Sequence, residues 1–180
     1  KPMSAMPKTC SEPATTSQRT TLHGPTMGTR WSVSLDAHAT LDLTALHHDL
    51  AAAVQQVDEQ MSPWKPTSDL VRLNHAPVDT WVNLPAELLE VLECAQDVQR
   101  LSGGAFDAGV GALVDAWGFG AARDEPDAAA IRAARLPMPH TEQGHLELDR
   151  PAGRARKHAP VQLDLCGIAK GYAVDRMAAV

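Results

Sequence analysis

The sequence predicts an α+β domain of strands packed with helices. Two periodicities carry this. Trp31, Val33 and Leu35 alternate with Ser32 and Ser34, as one face of a half-buried strand does. Leu46, Leu50, Val54, Val57 and Met61 recur every three or four residues, as one face of a helix does. The third observation is scale: 180 residues, 44% of them hydrophobic, suffice for one core and are too few to argue for two.

Residues 1–20 are rich in Lys, Pro, Ser and Thr and nearly devoid of periodic apolar side chains. Such a segment cannot bury enough surface to offset its ordering entropy, so a disordered leader is expected ahead of a domain over 21–180. Met27, Gly28 and Thr29 sit just before the strand of Trp31 or at its start. The first helix begins near Thr44, capped by Asp42 or Thr44, and must stop near Met61 because Pro63 and Pro66 bracket Trp64. A helical turn over 69–74 under Thr67 or Ser68 follows, then a brief strand over 81–84.

Pro85 opens a long helix with Leu88, Leu89, Leu92, Ala95, Val98 and Leu101 on its apolar face, where Cys94 also reads as a core residue. Gly103 and Gly104 end it. The stretch 104–120 keeps neither period and reads as a functional loop with a helical turn inside, Trp117 and Phe119 serving as packing residues. A small helix over 127–135 is expected next. Strands over 145–148 and 161–165 should flank a basic hairpin or loop, and the second should run into an alanine-rich helix that reaches Val180.

Composition excludes several functions. The 22 acidic against 16 basic side chains give a net charge of -6, and the densest basic stretch is Arg150, Arg154, Arg156 and Lys157. A basic surface for nucleic acid is therefore not expected. No run of eighteen apolar residues occurs, so no spanning helix is expected. Cys10, Cys94 and Cys166 are odd in number with no short paired spacing, which argues against a zinc cluster and a disulfide framework. Cys10 in KTCSEP admits a lipid-attachment reading but lacks the preceding apolar run; the alternative is a tail thiol. The chain begins with Lys1, which leaves any signal sequence open. His47 and His48 are adjacent and face different ways on a helix, so with His38 they read as solvated surface rather than metal ligands.

The junction LDLCGIAKGYAVD, in which a strand feeds a helix N-terminus, is the strongest local signal. Helix N-termini offer backbone N–H groups and a positive dipole end to phosphates, and Lys170 adds an ammonium within one turn. It is not a GxxxxGK[ST] loop, since Tyr172 follows Gly171. An ordinary buried strand followed by a surface helix is the alternative. Asp164 should point away from Leu163 and Leu165, where it either meets a ligand or caps the following helix. Phe106 and Asp107 lie among Gly103, Gly104, Gly109 and Gly111, small residues that let backbone approach a flat cofactor. Trp64, fixed between prolines, either stacks on a flat heteroaromatic ring or plugs the domain's own core.

Taken in order, MGTRWSVSL, VDEQMSPWKPTSDLVRLN, SGGAFDAGVGALVDAWGFG and LDLCGIAKGYAVD resemble the successive signature blocks of the ApbE family of flavin transferases. The resemblance covers the chain from about Met27 to its end and implies an α+β fold related to T-fold proteins, a mixed sheet with packed helices. It further implies an FAD:protein FMN transferase, which is magnesium-dependent and moves FMN from FAD to a threonine of a target flavoprotein in a membrane redox complex, releasing AMP. Met27, Trp64, Ala105, Phe106, Asp107, Asp164 and Lys170 would then contact FAD, and the Gly167 carbonyl would join a Mg2+ site. Cys166 stands where the family is expected to carry Gly or Ser. The family has a second half whose Asp and Thr bind the metal, so the chain reads as a truncated piece, inactive alone. A non-catalytic flavin-binding module or an inactive fragment are the alternatives. A periplasmic or inner-membrane-anchored location is the expectation that the resemblance brings.

Overall fold

The computed structural model describes residues 17–27, 29–121, 125–135 and 145–180. Residues 1–16 of the leader expected over 1–20, with Cys10, and Gly28 of the MGT motif lie outside the described residues. The α+β class is as expected, though the strands fall into two small antiparallel sheets.

The first sheet is a hairpin of β1 (Gln18–Thr26) and β2 (Thr29–Ala37), paired throughout from Gln18 opposite Ala37 to Thr26 opposite Thr29. Its first residues, Gln18, Arg19 and Thr20, fall inside the segment expected to be leader. Their order comes from the backbone ladder to β2 rather than from burial, and composition does not register a ladder. Trp31 turns inward opposite Gly24 and is 5% exposed; a Cβ on residue 24 would lie 2.7–2.9 Å from the indole, so the ring rests on bare backbone.

Helix α1 (Leu43–Met61) starts where Asp42 accepts hydrogen bonds from the amides of Thr44 and Ala45. Its Leu50, Val54, Val57 and Met61 are buried, as the period required. Leu50 and Val54 form a small cluster with Trp31, and His47 departs from the expected solvated surface by packing on that indole. The His47 Nε2–H donates to the His23 carbonyl at 3.0 Å. Ser68 caps α2 (Asp69–His75), whose Leu70 and Leu73 are fully buried. After β3 (Val82–Asn83) and Pro85 comes α3 (Ala86–Leu101), which buries Leu88, Leu89, Val91, Leu92 and Ala95.

Three expectations on and after α3 fail. Cys94 is exposed because it shares the outer face with Glu90 and Asp97, four residues before and three after it. Val98 and Leu101 are 37% and 79% exposed, so the last turn stands outside the core. Trp117 and Phe119 are 41% and 72% exposed: α4 (Gly111–Ala116) buries only its ends, and the chain then turns outward at Gly118 with φ 79°.

The second sheet has the order β3-β5-β4, with β4 (Leu146–Asp149) and β5 (Arg154–Lys157). The basic segment expected as a hairpin or loop is thus the central strand. Arg154 and Arg156 stack over the Trp81 ring at 4.5 and 4.6 Å and pair with Asp149 and Glu147, while Ala155 and Lys157 on the other face are buried. Charge masked the alternation that this face imposes. The expected strand over 161–165 is an extended segment with one parallel bridge, Val110 to Gln162. Helix α5 (Ala128–Ala134) is capped by Asp127, and α6 (Ala169–Ala178) packs against α1.

A charge cluster closes the second sheet. His158 bonds Asp79 through Nδ1 and Glu147 through Nε2, both at 2.8 Å. These two carboxylates raise the His158 pKa, while the Arg156 hydrogen bond, ahead of that from His158, lowers that of Glu147. The histidine contribution is present in full below its ordinary value of about 6.5 and is lost as pH rises through the raised folded value. The Glu147 contribution is present above its ordinary value of about 4.3 and is lost as pH falls through the lowered one. The melting-temperature gap between the parent and His158→Gln should therefore be widest between these two values and close at alkaline pH. A gap that stays constant from pH 5 to pH 9 would refute the assignment.

Candidate functional site

The loop after α1 is braced by its own serines. Ser68 Oγ donates to the Ser62 carbonyl at 2.7 Å, and the Trp64 amide donates to Ser62 Oγ at 3.3 Å. Lys65 pairs with Asp58. With Pro63 and Pro66 fixing the backbone on either side, the loop holds Trp64 at 53% exposure on the rim of a cleft of about 230 Å³. This exposure rules out Trp64 as a core plug.

The cleft is lined by residues of three segments: the loop after α1 together with α2, including Trp64 and Asn74; the α4 region, including Gly111 and Asp115; and residues 162–164. Burial alternates along this segment, with Leu163 and Leu165 buried and Gln162 and Asp164 partly exposed as the sequence predicted, and Asp164 lines the cleft. Its Oδ1 also accepts the Cys166 amide at 2.7 Å, so the carboxylate braces the turn into α6 while facing the cleft. Partial desolvation, then the Asp164 charge and hydrogen bond, push the Cys166 thiol up to about 11 against the pull of Lys170. It stays a neutral thiol at pH 7 and is no nucleophile.

The other predicted residues lie outside that lining. Phe106 is half-buried, its amide donating to Ser102 Oγ at 3.1 Å, and its ring edge lies 3.2 Å from where a Cβ on Gly167 would sit. Gly167 at the start of α6 is thereby the seat of Phe106. Ala105, Asp107 and Lys170 are exposed, and the Asp107 carboxylate accepts the Gly109 amide at 2.8 Å. Met27, in the β1–β2 turn with φ 43°, packs on the main core. The two groups meet through the backbone, since the Asp164 amide donates to the Ala108 carbonyl at 2.8 Å.

The glycines divide by role. A Cβ on Gly111 would lie 2.7 Å from the Gln162 carbonyl oxygen, and one on Gly109 3.0 Å from Val161, so both let segments of the protein pack closely, and Gly111 also lines the cleft. Gly103 and Gly104 adopt φ 61° and 84° with open space around them. Asn74, Asp115 and Gln162 line the cleft and were missed, because single polar residues at a helix end or in a loop carry no periodic signal.

The cleft suits a flavin in its chemistry: an indole with two prolines and a valine offers a flat apolar wall, and Asp164, Asn74 and Gln162 supply polar groups. Magnesium fits less well. Among the described residues no group of three or more His, Cys, Asp or Glu side chains is placed to hold a metal ion, and the Gly167 carbonyl alone cannot satisfy an octahedral shell.

A sequence profile of the ApbE family matches residues 27–180. The FAD:protein FMN transferase of Klebsiella pneumoniae is 34% identical over 176 residues, covering 94% of this chain and 49% of the relative. That of Haemophilus influenzae is 31% identical, covering 87% and 47%. The apo form of flavinyl transferase ApbE from Pseudomonas stutzeri superposes with a TM-score of 0.77 at 31% identity, over 91% of this chain and 56% of that one. Flavin transferase ApbE from Vibrio cholerae gives 0.80 at 29% identity, over 91% and 53%. The chain spans about half the length of the relatives it matches. With four signature blocks, a fold shared with solved members and a profile match from Met27 to Val180, this chain belongs to the ApbE family.

Proposed function

We propose that this chain supplies a flavin-binding part of an FAD:protein FMN transferase. The observation that carries the reading is the cleft that joins Trp64 of one signature block to Asp164 of another. In the proposed reaction an acceptor threonine oxygen attacks the FMN-side phosphorus of FAD, the pyrophosphate P–O bond breaks, AMP leaves with the bridging oxygen, and the hydroxyl proton is released.

In this reading Trp64 stacks on the isoalloxazine and Asp164 accepts a hydrogen bond from the flavin. Lys170, exposed at the N-terminal turn of α6, faces phosphate together with the helix dipole. Met27, Ala105, Phe106 and Asp107 complete the surround by family resemblance, and Gly167 would give its carbonyl to Mg2+. A bound magnesium would neutralise charge on the pyrophosphate. The described residues do not complete its shell, so the roles above stand without it. Target flavoproteins of membrane redox complexes with an acceptor threonine, and a periplasmic or inner-membrane-anchored site of action, rest on the resemblance alone. No helix among the described residues is long and apolar enough to cross a membrane.

The test is to incubate the full-length protein with FAD, magnesium and an acceptor domain and to weigh the acceptor. A gain of one FMN is expected; an unmodified acceptor would refute transfer. Binding is separable from transfer. FAD should bind in preference to ATP, and Trp64→Ala should weaken FAD by about tenfold, a stacking loss on the order of 1 kcal/mol plus lost burial. Lys170→Ala should weaken it in a salt-dependent way. Equal ATP binding, with both variants like the parent, would contradict the site.

A further inference from the structure

The extended segment 161–164 is bonded on both edges, although only one edge faces backbone. Toward the 108–111 loop, the Gly111 amide donates to the Gln162 carbonyl at 2.9 Å and the Asp164 amide donates to Ala108 at 2.8 Å. On the other edge Leu163 meets a side chain. The Leu163 amide donates to Asn74 Oδ1 at 2.8 Å, and Asn74 Nδ2 donates to the Leu163 carbonyl at 2.9 Å. A primary amide presents a donor and an acceptor in the fork that a neighbouring strand residue would present, so Asn74 acts as a strand one residue long.

The backbone of Asn74 is itself held. Lys157, 4% exposed on β5, donates from Nζ to the Asn74 carbonyl at 2.6 Å and to the Val161 carbonyl at 3.3 Å. Desolvation lowers its pKa, and both of these bonds go to carbonyls. Leu70 and Leu73 anchor α2 in the core just before Asn74. The register of 161–164 is thus fixed against helix α2 and strand β5 at once. Register matters here because burial alternates along the segment: a slip of one residue would carry Asp164 to the side where Leu163 and Leu165 are now buried.

We propose that Asn74, locked by Lys157, is a positioning residue that sets the register of Leu163 and thereby aims Asp164 into the cleft. The inference rests on the flavin reading of that cleft for its consequence but not for its geometry. Asn74 also lines the cleft, so the experiment has to separate aiming Asp164 from touching flavin.

FAD affinity of the full-length protein is measured by flavin fluorescence for the parent, Asn74→Ala, Asp164→Asn and the double variant, at a temperature where circular dichroism shows all four folded. Each single change is expected to weaken FAD by about tenfold. The double variant should be no weaker than the worse single one, because a residue acting through Asp164 has nothing left to act on. Penalties that multiply would overturn the proposal and make Asn74 a direct contact or a general stabiliser. Should Asn74→Ala fail to fold, Lys157→Met, which keeps the stem and removes the Nζ, enters the same cycle with the same expectation. Amide hydrogen exchange supplies a readout independent of flavin. The Leu163 amide should exchange faster in the Asn74 or Lys157 variant while the amides of α3 do not change, and an unchanged Leu163 amide would overturn the latch. A parent that does not bind FAD would refute the flavin reading and leave this exchange measurement to decide the latch.

Discussion

Replacing Leu165 with alanine is expected to lower the unfolding free energy by about 2–5 kcal/mol, read as a shift of the urea midpoint at unchanged slope. Leu165 is fully buried within the main core, with Leu70, Leu73, Leu88 and Leu89 in the same cluster. Truncation removes the transfer free energy of the lost carbons and leaves a cavity that helices anchored elsewhere cannot fill by collapse. Against a total of about 5–15 kcal/mol for a domain, that loss is a large share. It also loosens the residue next to Asp164, so flavin binding should weaken below the melting transition. A midpoint within error of the parent would mean that the 161–165 segment is not part of the core.

The second large effect is expected at Gly111. A Cβ there would lie 2.7 Å from the Gln162 carbonyl oxygen and 3.0 Å from its carbon, both backbone atoms that cannot rotate away. Gly111→Val must therefore push the 108–111 loop off the extended segment and break the Gly111 to Gln162 hydrogen bond. Overpacking of this kind costs about 1–3 kcal/mol, with a further 0.5–1.5 or so for the broken bond. Because Gly111 and Gln162 both line the cleft, FAD affinity should fall further than stability alone explains. Thermal melts and FAD titrations of Gly111→Ala and Gly111→Val test this: the valine variant should be worse on both, and parent-like behaviour of either would show that the approach is not close.

Much of the fold was legible because its signals are local. The α1 face from Leu50 to Met61 and the helix stops at Pro63 and Gly103 are written in short stretches of sequence and appear as read, and the structure selects Asp42 over Thr44 and Ser68 over Thr67 as caps. What was misread depends on distant partners. Arg154 and Arg156 form a strand because Trp81 receives their guanidinium planes. Residues 161–165 look like a strand but find a side chain and a loop instead of a second strand. Cys94, Val98 and Leu101 sit on a helix whose core-facing stripe is narrower than its apolar composition.

The candidate site divides in the same way. Sequence by itself determined which residue types stand in which blocks: an indole between prolines, a carboxylate between leucines, a lysine after a strand-to-helix junction, and with them membership of the family. Only the tertiary structure decided that Trp64 and Asp164 share a cleft, that Phe106 rests on Gly167, and that Gly109 and Gly111 pack against protein. It also decided that Asn74, silent in the sequence, takes the place of a missing strand beside Asp164. The physical reason is range. Propensity, capping and periodicity act over a few residues, whereas a hydrogen bond from residue 74 to residue 163, or a carbonyl 2.7 Å from an absent Cβ, exists only once the core has brought the two segments together.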